Sequence, residues 1–322
     1  MLQSTITTRI ATTIPSFPHV LARCISSYLI HTPKSSIIYK FPSEGSADAQ
    51  GVQQLDTAHC DAKWTPLPRM LTPRQSCSAA TVNDCLYVTS DNIRDADCNM
   101  DFFDPTQNKW SRASPLRVPR YNHQSVACGG LLYVIGGNNA TQKEMKSVES
   151  YNPKTETWHA RFSMHTARTM FAAIECEGKI YVMGGMARGN VLLYSCECFD
   201  PRTDVWTAVA PLLNARGRAT CTLVPHATRL GTWVIGLIGG VTQKSAFNTN
   251  VDMYDIENNC WSTATWTLPT PLALFSAQWI SDGVVVYGGN TGLHSRNFAC
   301  QVFRWTIHKW LSMCSIPHDI YL

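Results

Sequence analysis

Residues 118–137 read VPRYNHQSVACGGLLYVIGG and residues 148–164 read VESYNPKTETWHARFSM, and together they set out a unit that recurs along the chain. The unit opens on Arg120 and runs through an apolar segment into a pair of glycines. An aromatic residue, a turn signal and a tryptophan follow. This order predicts four short β-strands: one after the arginine, one ending in the glycine pair, one ending at the aromatic residue and one beginning at the tryptophan.

The unit repeats with a spacing near 48 residues, which is the signature of a repeat architecture. Tryptophans with successive gaps of 48, 48, 55 and 49 residues mark it: Trp110, Trp158, Trp206, Trp261 and Trp310. The second glycine of each pair lies 21 residues before a tryptophan in all four cases: Gly137, Gly185, Gly240 and Gly289. The long gap contains PHATRLG, a stretch rich in loop formers, so the extra residues are expected in a loop.

Two further markers keep step with the tryptophans. An arginine opens four units: Arg74, Arg120, Arg168 and Arg216. An aromatic residue lies seven positions before each tryptophan: Phe103, Tyr151, Phe199, Tyr254 and Phe303. An Asp-Pro or Asn-Pro turn follows the first three of these. A sheet of four such strands has two apolar faces and exposed edges, so it must stack on its neighbours, and a radial stack is a propeller.

The combined pattern resembles the kelch repeat over roughly residues 69–316 and is most similar to the kelch-like proteins, whose propellers usually have six blades. The resemblance implies an all-β fold, a kelch-type β-propeller of six four-stranded blades, five clear and one degenerate. We expect residues 1–30 to be a disordered or poorly ordered leader and residues 31–322 to form the propeller. The expected blades cover approximately residues 31–70, 71–117, 118–165, 166–213, 214–270 and 271–322.

The first and last blades depart from the pattern. The segment SSIIYKF predicts one strand of the first blade and the segment ending at Trp64 predicts its last strand, but Thr57 stands where an aromatic residue is expected. The first blade has no glycine pair, and the last has no opening arginine. The sequence therefore leaves open whether the ring closes.

Composition narrows the classes of partner. The chain of 322 residues carries 27 Lys and Arg against 23 Asp and Glu, and these charges are scattered singly, so nucleic acid is not expected as a partner. No run of 18 apolar residues is present, so no membrane partner is expected either. The 13 cysteines are odd in number and spread through strand-like segments, which favours free thiols in a reducing cytoplasm.

The resemblance also implies a ligand face. In kelch-like proteins this face carries the loop before the innermost strand and the loop after the glycine pair. The matching positions before the innermost strands are Arg74, Gln75, Ser76, Tyr121, Asn122, His123, Thr169, Met170 and Arg218. The matching positions after the glycine pairs are Asn138, Asn139, Met186 and Arg188. Tyrosine and arginine are favoured at interfaces, and Arg188 and Arg218 suit an acidic peptide. An equal alternative is that the opening arginines simply brace loops.

No catalytic residue, metal ligand or cofactor is predicted, so the chain is expected not to be an enzyme. Among the ten histidines only His123 falls in the expected ligand face, whereas a metal site needs several ligands. The motifs HExxH, GxSxG and GxxxxGK[ST] are absent from the sequence. A kelch-fold metalloenzyme is the least favoured interpretation.

The resemblance implies a protein-protein interaction module, a substrate-recognition propeller of the kelch-like ubiquitin-ligase adaptor type that binds an acidic peptide or degron. In that family a BTB domain and a BACK domain dock the cullin, and neither fits before the first clear blade. We therefore expect a fragment, a divergent stand-alone receptor or a partner of another subunit. The alternative is an actin-binding kelch protein. Cullin and actin association rest on analogy.

Overall fold

The computed structural model describes most of the repeat region and short segments on either side of it. The described residues are 21–23, 31–32, 35–41, 50–56, 64–74, 77–89, 98–141, 143–226, 229, 232–243, 246–280, 283–291, 299–304 and 309–315. Within this part of the chain, no helix has the length and apolar character that crossing a membrane requires.

The described strands begin with β1 (Leu21–Arg23), and six antiparallel sheets of four strands follow, which we call blades 1 to 6. Blade 1 consists of β2 (His31–Thr32), β3 (Ser35–Lys40), β4 (Gln53–Asp56) and β5 (Thr65–Pro66). Blade 2 consists of β6 (Ser78–Val82), β7 (Cys85–Thr89), β8 (Met100–Asp104) and β9 (Lys109–Ala113). Blade 3 consists of β10 (Gln124–Cys128), β11 (Leu131–Ile135), β12 (Val148–Asn152) and β13 (Thr157–Arg161).

The second half of the chain continues the same order. Blade 4 begins with β14 (Ala172–Cys176) and β15 (Lys179–Met183). A small hairpin of β16 (Met186–Ala187) and β17 (Val191–Leu192) follows, around a 3-10 turn at Arg188–Asn190. The blade ends with β18 (Cys196–Asp200) and β19 (Val205–Val209). Blade 5 consists of β20 (Thr220–Pro225), β21 (Trp233–Ile238), β22 (Val251–Asp255) and β23 (Cys260–Thr263). Blade 6 consists of β24 (Ser276–Ile280), β25 (Gly283–Tyr287), β26 (Ala299–Arg304) and β27 (Lys309–Ser315).

The first strands of blades 2 to 6 lie side by side: β6 beside β10, β10 beside β14, β14 beside β20 and β20 beside β24. Burial falls from the first strand of a blade to the last. All five residues of β10 are buried, whereas none of the five in β13 is. The first strands are therefore innermost, as the predicted kelch-type β-propeller requires.

Strand β1 lies between two blades. It pairs antiparallel with β6 and with β10, where Ala22 stands opposite Ala79 and Ser125, and so joins blades 2 and 3 into one nine-stranded sheet. These three residues fall in the segment expected to be a poorly ordered leader. The rest of residues 1–30 lies outside the described part of the chain.

The predicted turns between the third and fourth strands form through side-chain caps. The Asn152 Oδ1 atom accepts a hydrogen bond from the Lys154 main-chain N at 2.9 Å, and Asp200 Oδ1 accepts one from Arg202 N at 2.9 Å. Asp104 does the same with Thr106 N at 2.8 Å. Each turn therefore uses an Asx cap followed by proline, which reverses the chain within a few residues.

Aromatic pairs pack across the seams between blades. The second strand of one blade meets the third strand of the next, with ring centroids 5.8 to 6.5 Å apart: Tyr39 with Phe103, Tyr87 with Tyr151, Tyr133 with Phe199, and Tyr181 with Tyr254. In blade 6, Tyr287 packs at 5.6 Å against Trp64, which directly precedes the last strand of blade 1. The first and last blades are therefore in contact, which answers the question that the sequence left open.

The repeated tryptophans tie each blade to the one before it. Each indole N–H donates to a main-chain carbonyl beyond the last strand of the preceding blade, at 2.7 to 3.0 Å: Trp110 to Pro68, Trp158 to Ser114, Trp206 to Phe162, Trp261 to Ala210 and Trp310 to Thr267. The tryptophan spacing is thus the spacing of blade-to-blade contacts.

The glycine pairs mark where a neighbouring blade comes closest. Gly185 has φ +95° and donates its N–H to the Arg216 carbonyl at 2.9 Å. A Cβ atom at Gly184, the first glycine of the pair, would lie 3.0 Å from Leu212 Cδ1 in the segment that leads into blade 5. A Cβ atom at Gly185 would meet its own blade, 2.7 Å from the Thr169 carbonyl oxygen and 2.6 Å from Phe171 Cβ. Only glycine fits both the backbone angle and the space.

The cysteines differ in one respect from the expectation of free thiols throughout. Eight described cysteines are free: Cys85, Cys98, Cys128, Cys176, Cys196, Cys198, Cys221 and Cys260. Cys77, in contrast, is disulfide-bonded.

Candidate binding surface

The opening arginines are buried braces. The Arg168 side chain has no exposed surface, and its Nη2 donates to Glu197 Oε1 at 2.6 Å. Its Nη1 donates to the carbonyls of Gly184 and Ser195, both at 2.8 Å. Three other pairs join the start of a blade to its third strand in the same way: Arg74 with Asp101, Arg120 with Glu149, and Arg216 with Asp252.

Arg74 was predicted to contact a partner, but its side chain is completely buried and its Nη2 lies 2.7 Å from Asp101 Oδ2. It braces blade 2, so we leave it out of the binding surface. Gln75 and Ser76, predicted beside it, lie outside the described residues.

The acidic partner of the Arg168 brace is held in its ionised form. Burial alone would raise the pKa of Glu197, but the Arg168 charge and the hydrogen bonds from His165 N and Thr166 N lower the pKa by more.

Blade 6 lacks both members of the pair. Leu272, fully buried, stands at the arginine position, and Gln301 stands two residues before the aromatic Phe303, where the acid would be.

Two residues beyond four of the brace positions, the chain takes a left-handed backbone conformation. The four described residues, with φ between 49° and 56°, are Asn122, Met170, Arg218 and Leu274, and we call them the collar. Main-chain hydrogen bonds connect them from blade to blade: Met170 N to Asn122 O at 3.2 Å, Arg218 N to Met170 O at 2.8 Å and Leu274 N to Arg218 O at 3.0 Å. Because each lies two residues before an innermost strand, the collar surrounds one mouth of the central channel.

The loop after each glycine pair meets the collar loop of its own blade. Single β-bridges join Tyr121 to Asn138, Thr169 to Met186, Gly217 to Val241 and Ala273 to Asn290. The same loops then fold back as hairpins, since Asn138 bridges Glu144 and Val241 bridges Phe247. The structure therefore brings together the two loop sets that the kelch resemblance assigns to a ligand face.

Several predicted residues build these loops and do not project from them. His123 is buried and its Nε2 lies 2.7 Å from Thr89 Oγ1. Burial, and secondarily the Arg120 charge, lowers the pKa of His123 to about 3, so the imidazole is neutral. Thr169 is buried and hydrogen-bonds to Asn138. The Asn139 side chain closes its own hairpin by accepting from Thr141 and Lys143 main-chain N–H groups at 3.1 and 3.0 Å.

Two arginines on this surface keep their charge available. Arg218 is half-buried, and its Nε lies 3.3 Å from Met170 Sδ, which fixes the guanidinium over the collar. Its terminal nitrogens make no hydrogen bond or ion pair among the described residues. Arg188 is exposed at the tip of the β16–β17 hairpin.

The surrounding loops add mainly positive charge. Lys143 and Lys146 are exposed on the corresponding hairpin of blade 3, where Glu144 is the acidic residue. Among the described residues, no three His, Cys, Asp or Glu side chains come together as metal ligands would. The surface is thus a cationic rim around a partly apolar channel mouth.

Sequence reasoning missed part of this surface. Leu274 and Asn290 occupy collar and hairpin positions in blade 6, but this blade lacks the opening arginine from which the other positions were counted. The acidic partners of the braces were also missed. Their signal was present, because an acid stands two residues before the aromatic residue in four units: Asp101, Glu149, Glu197 and Asp252.

Six four-stranded blades, braced arginines and glycine-pair seams define a kelch-type β-propeller. Residues 76–289 match the KLHDC2/KLHL20/DRC7 Kelch-repeats domain, and the chain belongs to this kelch-repeat family.

Relatives and solved structures agree with this assignment. Kelch-like protein 35 of Mus musculus is 32% identical over 114 residues, which cover 34% of this chain and 19% of that protein. Spermatocyte protein spe-26 of Caenorhabditis elegans is 33% identical over 78 residues, 24% of this chain and 13% of that protein. The chain thus matches less than a fifth of the length of either relative. The structure of YjhT superposes with a TM-score of 0.73 at 15% identity, covering 93% of this chain and 99% of that one, which shows the shared fold.

The kelch domain and the kelch-like relatives support a protein-interaction propeller.

Proposed function

We propose that the collar surface binds an acidic peptide segment of another protein, and that the chain acts as the substrate-recognition propeller of a kelch-like ubiquitin-ligase adaptor. The observation that carries the proposal is the Arg218 guanidinium, which is held over the channel mouth by Met170 with its terminal nitrogens unpaired among the described residues. The proposed contact residues are Tyr121, Asn122, Met170, Arg188 and Arg218, whereas Asn138 and Met186 are buried and support the loops.

Arginine in this setting suits a carboxylate. Its planar guanidinium offers two parallel N–H donors that match the two oxygens of a carboxylate, and this bidentate contact is stronger than a neutral hydrogen bond. Because Met170 already orients Arg218, less side-chain entropy is lost when a ligand binds. Half-burial lowers the local dielectric and strengthens the attraction.

Arg188 plays a different part in the proposal. It is exposed at a hairpin tip, where an ion pair gains little free energy but a positive charge speeds the encounter with an acidic partner. We expect Arg188→Ala to slow association and Arg218→Ala to speed dissociation.

The proposal is tested with fluorescein-labelled peptides rich in glutamate and their glutamine-substituted counterparts, titrated with the full chain and followed by anisotropy. We expect binding of the glutamate peptides to weaken at least about tenfold in Arg218→Ala, which corresponds to about 1.4 kcal/mol. The matched control is Arg202→Ala, because Arg202 is equally cationic but lies on the turn between β18 and β19. Equal affinity for glutamate and glutamine peptides would contradict the proposal.

The adaptor role needs a cellular test. Proximity labelling with the wild type, an Arg188→Ala plus Arg218→Ala variant and the Arg202→Ala control should show a set of partners lost only in the double variant. Their abundance should rise when the wild-type chain is depleted, if they are degraded through it. An unchanged partner list would contradict the assignment of this face. Co-sedimentation with filamentous actin that the double variant leaves intact would support the actin-binding alternative instead.

A further inference from the structure

A pocket of about 360 Å³ lies between blades 4 and 5, beside the collar. Tyr194, which follows β17 in blade 4, forms one wall. Asn214, from the loop that enters blade 5, forms the second. The hairpin and following segment of blade 5 supply the third wall, with Gln243, Phe247, Asn248 and Asn250. No side chain lining the pocket carries a charge. We call it the amide pocket.

Other blades carry different residue types at the positions that line the amide pocket. Counted from the second glycine, Tyr194 is the ninth residue of its loop, and the ninth residue in blade 3 is Lys146. Phe247 is the seventh, and its counterpart in blade 4 is Leu192.

The amide positions differ in the same way. Asn214 lies two residues before a brace arginine, where blade 4 has Thr166, and Asn248 stands where blade 4 has Leu193. The neighbouring blades form the same strands, turns and braces without aromatic and amide side chains at these positions. The repeat itself therefore does not require these side chains, although the Asn248 Oδ1 atom accepts a hydrogen bond from Asn250 N at 2.8 Å.

Exposed apolar side chains occur within three residues of the pocket residues Tyr194 and Asn214. Val191 is 59% exposed, Leu213 is 49% exposed and Tyr194 itself is 46% exposed. Large apolar side chains left in water on adjoining loops are typical of a surface that a partner covers. Tyrosine in particular gives a large contact area with little loss of side-chain entropy.

The amide groups indicate what kind of partner group enters. An asparagine or glutamine side chain offers one carbonyl acceptor and two N–H donors, which is the complement of a peptide main chain. The side chains of Asn214 and Asn250 make no hydrogen bond among the described residues, so both are available to a ligand. A charged side chain would lose its hydration in this pocket without finding a counter-charge.

We propose that the amide pocket holds an uncharged apolar residue, with its flanking main chain, from the same partner segment whose acidic residue binds Arg218. The inference rests on the proposed function, and it makes the ligand bipartite. Ala215, at the edge of the pocket, is three residues from Arg218, so their Cα atoms are at most about 11 Å apart. An extended peptide advances about 3.3 Å per residue, so the apolar and acidic residues should lie within about four positions of each other.

The test is selection of random 12-residue displayed peptides on the folded full chain, followed by anisotropy with the selected peptide as probe. We expect selected peptides to carry an acidic residue and, within four positions, a Leu, Ile, Phe or Met. Replacing that apolar residue with Ser should weaken binding by about tenfold or more. Tyr194→Ala should have a similar effect, because exposed tyrosines in a binding pocket are frequent hot spots.

Val205→Ala is the control, since Val205 is also an apolar side chain about half exposed but lies at the start of β19, beside the β18–β19 turn, and it should leave the affinity within twofold. Tyr194→Phe separates packing from the hydroxyl group. Thermal melts of each variant show whether the fold is retained, and Asn214→Ala gives a second, independent change in the pocket wall. If Tyr194→Ala and Asn214→Ala both weaken binding of the selected peptide while their thermal melts match the wild type, the proposal is supported.

Two other outcomes separate this inference from the proposed function. Peptides that carry acidic residues without an apolar preference, and that bind Tyr194→Ala as well as the wild type, would overturn the amide-pocket proposal and leave the acidic-peptide function standing. Peptides that carry apolar residues alone and ignore Arg218→Ala would overturn the acidic-peptide function. Selection of neutral oligosaccharides by the pocket in a glycan array, with no peptide enriched, would overturn both.

Discussion

Replacing Arg168 by leucine tests how the blades are held together. In the folded chain Arg168 donates four hydrogen bonds: to Gly184 O and Ser195 O at 2.8 Å each, to Ser195 Oγ at 3.1 Å and to Glu197 Oε1 at 2.6 Å. The arginine side chain is completely buried and the Glu197 side chain is 3% exposed. The substitution therefore leaves a carboxylate in the interior without its cation.

The magnitude follows from that geometry. Removing one partner of a buried ion pair typically costs about 3 to 5 kcal/mol, because the remaining charge stays desolvated. Glu197 still accepts hydrogen bonds from His165 N at 2.7 Å and Thr166 N at 3.1 Å, which places the expected loss near the middle of this range, at about 4 kcal/mol. Two carbonyls also lose a donor, but the Ser195 carbonyl still accepts a hydrogen bond from Gly184 N at 3.2 Å.

The second variant, Arg168→Leu with Glu197→Gln, copies the residues that blade 6 carries at these positions. Blade 6 places Leu272 and Gln301 at the positions of the arginine and the acid, so the neutral pair is compatible with a blade. Adding Glu197→Gln to Arg168→Leu removes the unpaired charge and keeps one acceptor oxygen, which can serve either His165 N or Thr166 N. We expect the double variant to recover about 2 kcal/mol of the loss, a coupling typical of residues in one network.

Equilibrium urea unfolding, followed by tryptophan fluorescence and far-UV circular dichroism, measures both free energies. Arg202→Leu is the control, because Arg202 pairs with Asp200 at the surface with 80% of its side chain exposed, and its unfolding midpoint should not change. A loss below about 1 kcal/mol in Arg168→Leu, or a double variant as unstable as the sum of its two single changes, would refute the bracing role.

Three further changes test other parts of the fold. Trp158→Ala should lower the free energy of unfolding by about 3 to 5 kcal/mol. Trp158→Phe should lower it by only about 1 to 2 kcal/mol, because this change mainly removes the hydrogen bond to Ser114 O. Equal losses in urea melts would contradict the blade-to-blade contact. Gly185→Ala should cost more than about 2 kcal/mol and Gly189→Ala about 1 kcal/mol, since both have positive φ but only Gly185 has atoms within 3 Å of the added methyl group. Similar thermal midpoints would show that the two loops of blade 4 pack less tightly at Gly185 than described. Burial lowers the pKa of His123 from 6.5 to about 3, so the folded chain binds fewer protons than the unfolded chain between these pH values, and the stability contributed above pH 6.5 is lost as the pH falls. Wild type should therefore lose on the order of 2 kcal/mol more than His123→Gln between pH 7 and pH 5, and parallel pH profiles of the two proteins would sink this assignment.

The order of strands, the seams and the circular repeat could be predicted from the sequence because each depends on a residue type that returns at a fixed spacing. Gly185 and Trp206 illustrate this: the first is needed where a neighbouring carbonyl approaches, and the second donates its indole N–H to the preceding blade. Constraints that act in every blade leave the same residue in every blade, so a single sequence shows them by comparison with itself.

Contacts between residues far apart in the chain were harder to predict. Glu197 lies 29 residues from Arg168, and only the folding of one blade brings the two together. The resemblance identified the two loop sets at the channel mouth but could not say which side chains point outward, so His123 and Thr169 were grouped with Arg218. The amide pocket was not predicted, because its walls come from two blades and its residues have no counterpart in the other units.

At the channel mouth, the collar keeps one backbone conformation while the identity of its side chains varies. Apart from the Arg218 Nε–Met170 Sδ contact, the blade-to-blade hydrogen bonds between collar residues join main-chain atoms. An amide, a thioether, a guanidinium and an isobutyl side chain already occupy the four described positions in the same backbone conformation. Codons 122, 170, 218 and 274 are consequently natural sites for a randomised library, in which new specificities could be sought on an unchanged frame. A scaffold of this kind would let binding proteins be reprogrammed without redesigning the loops that display them.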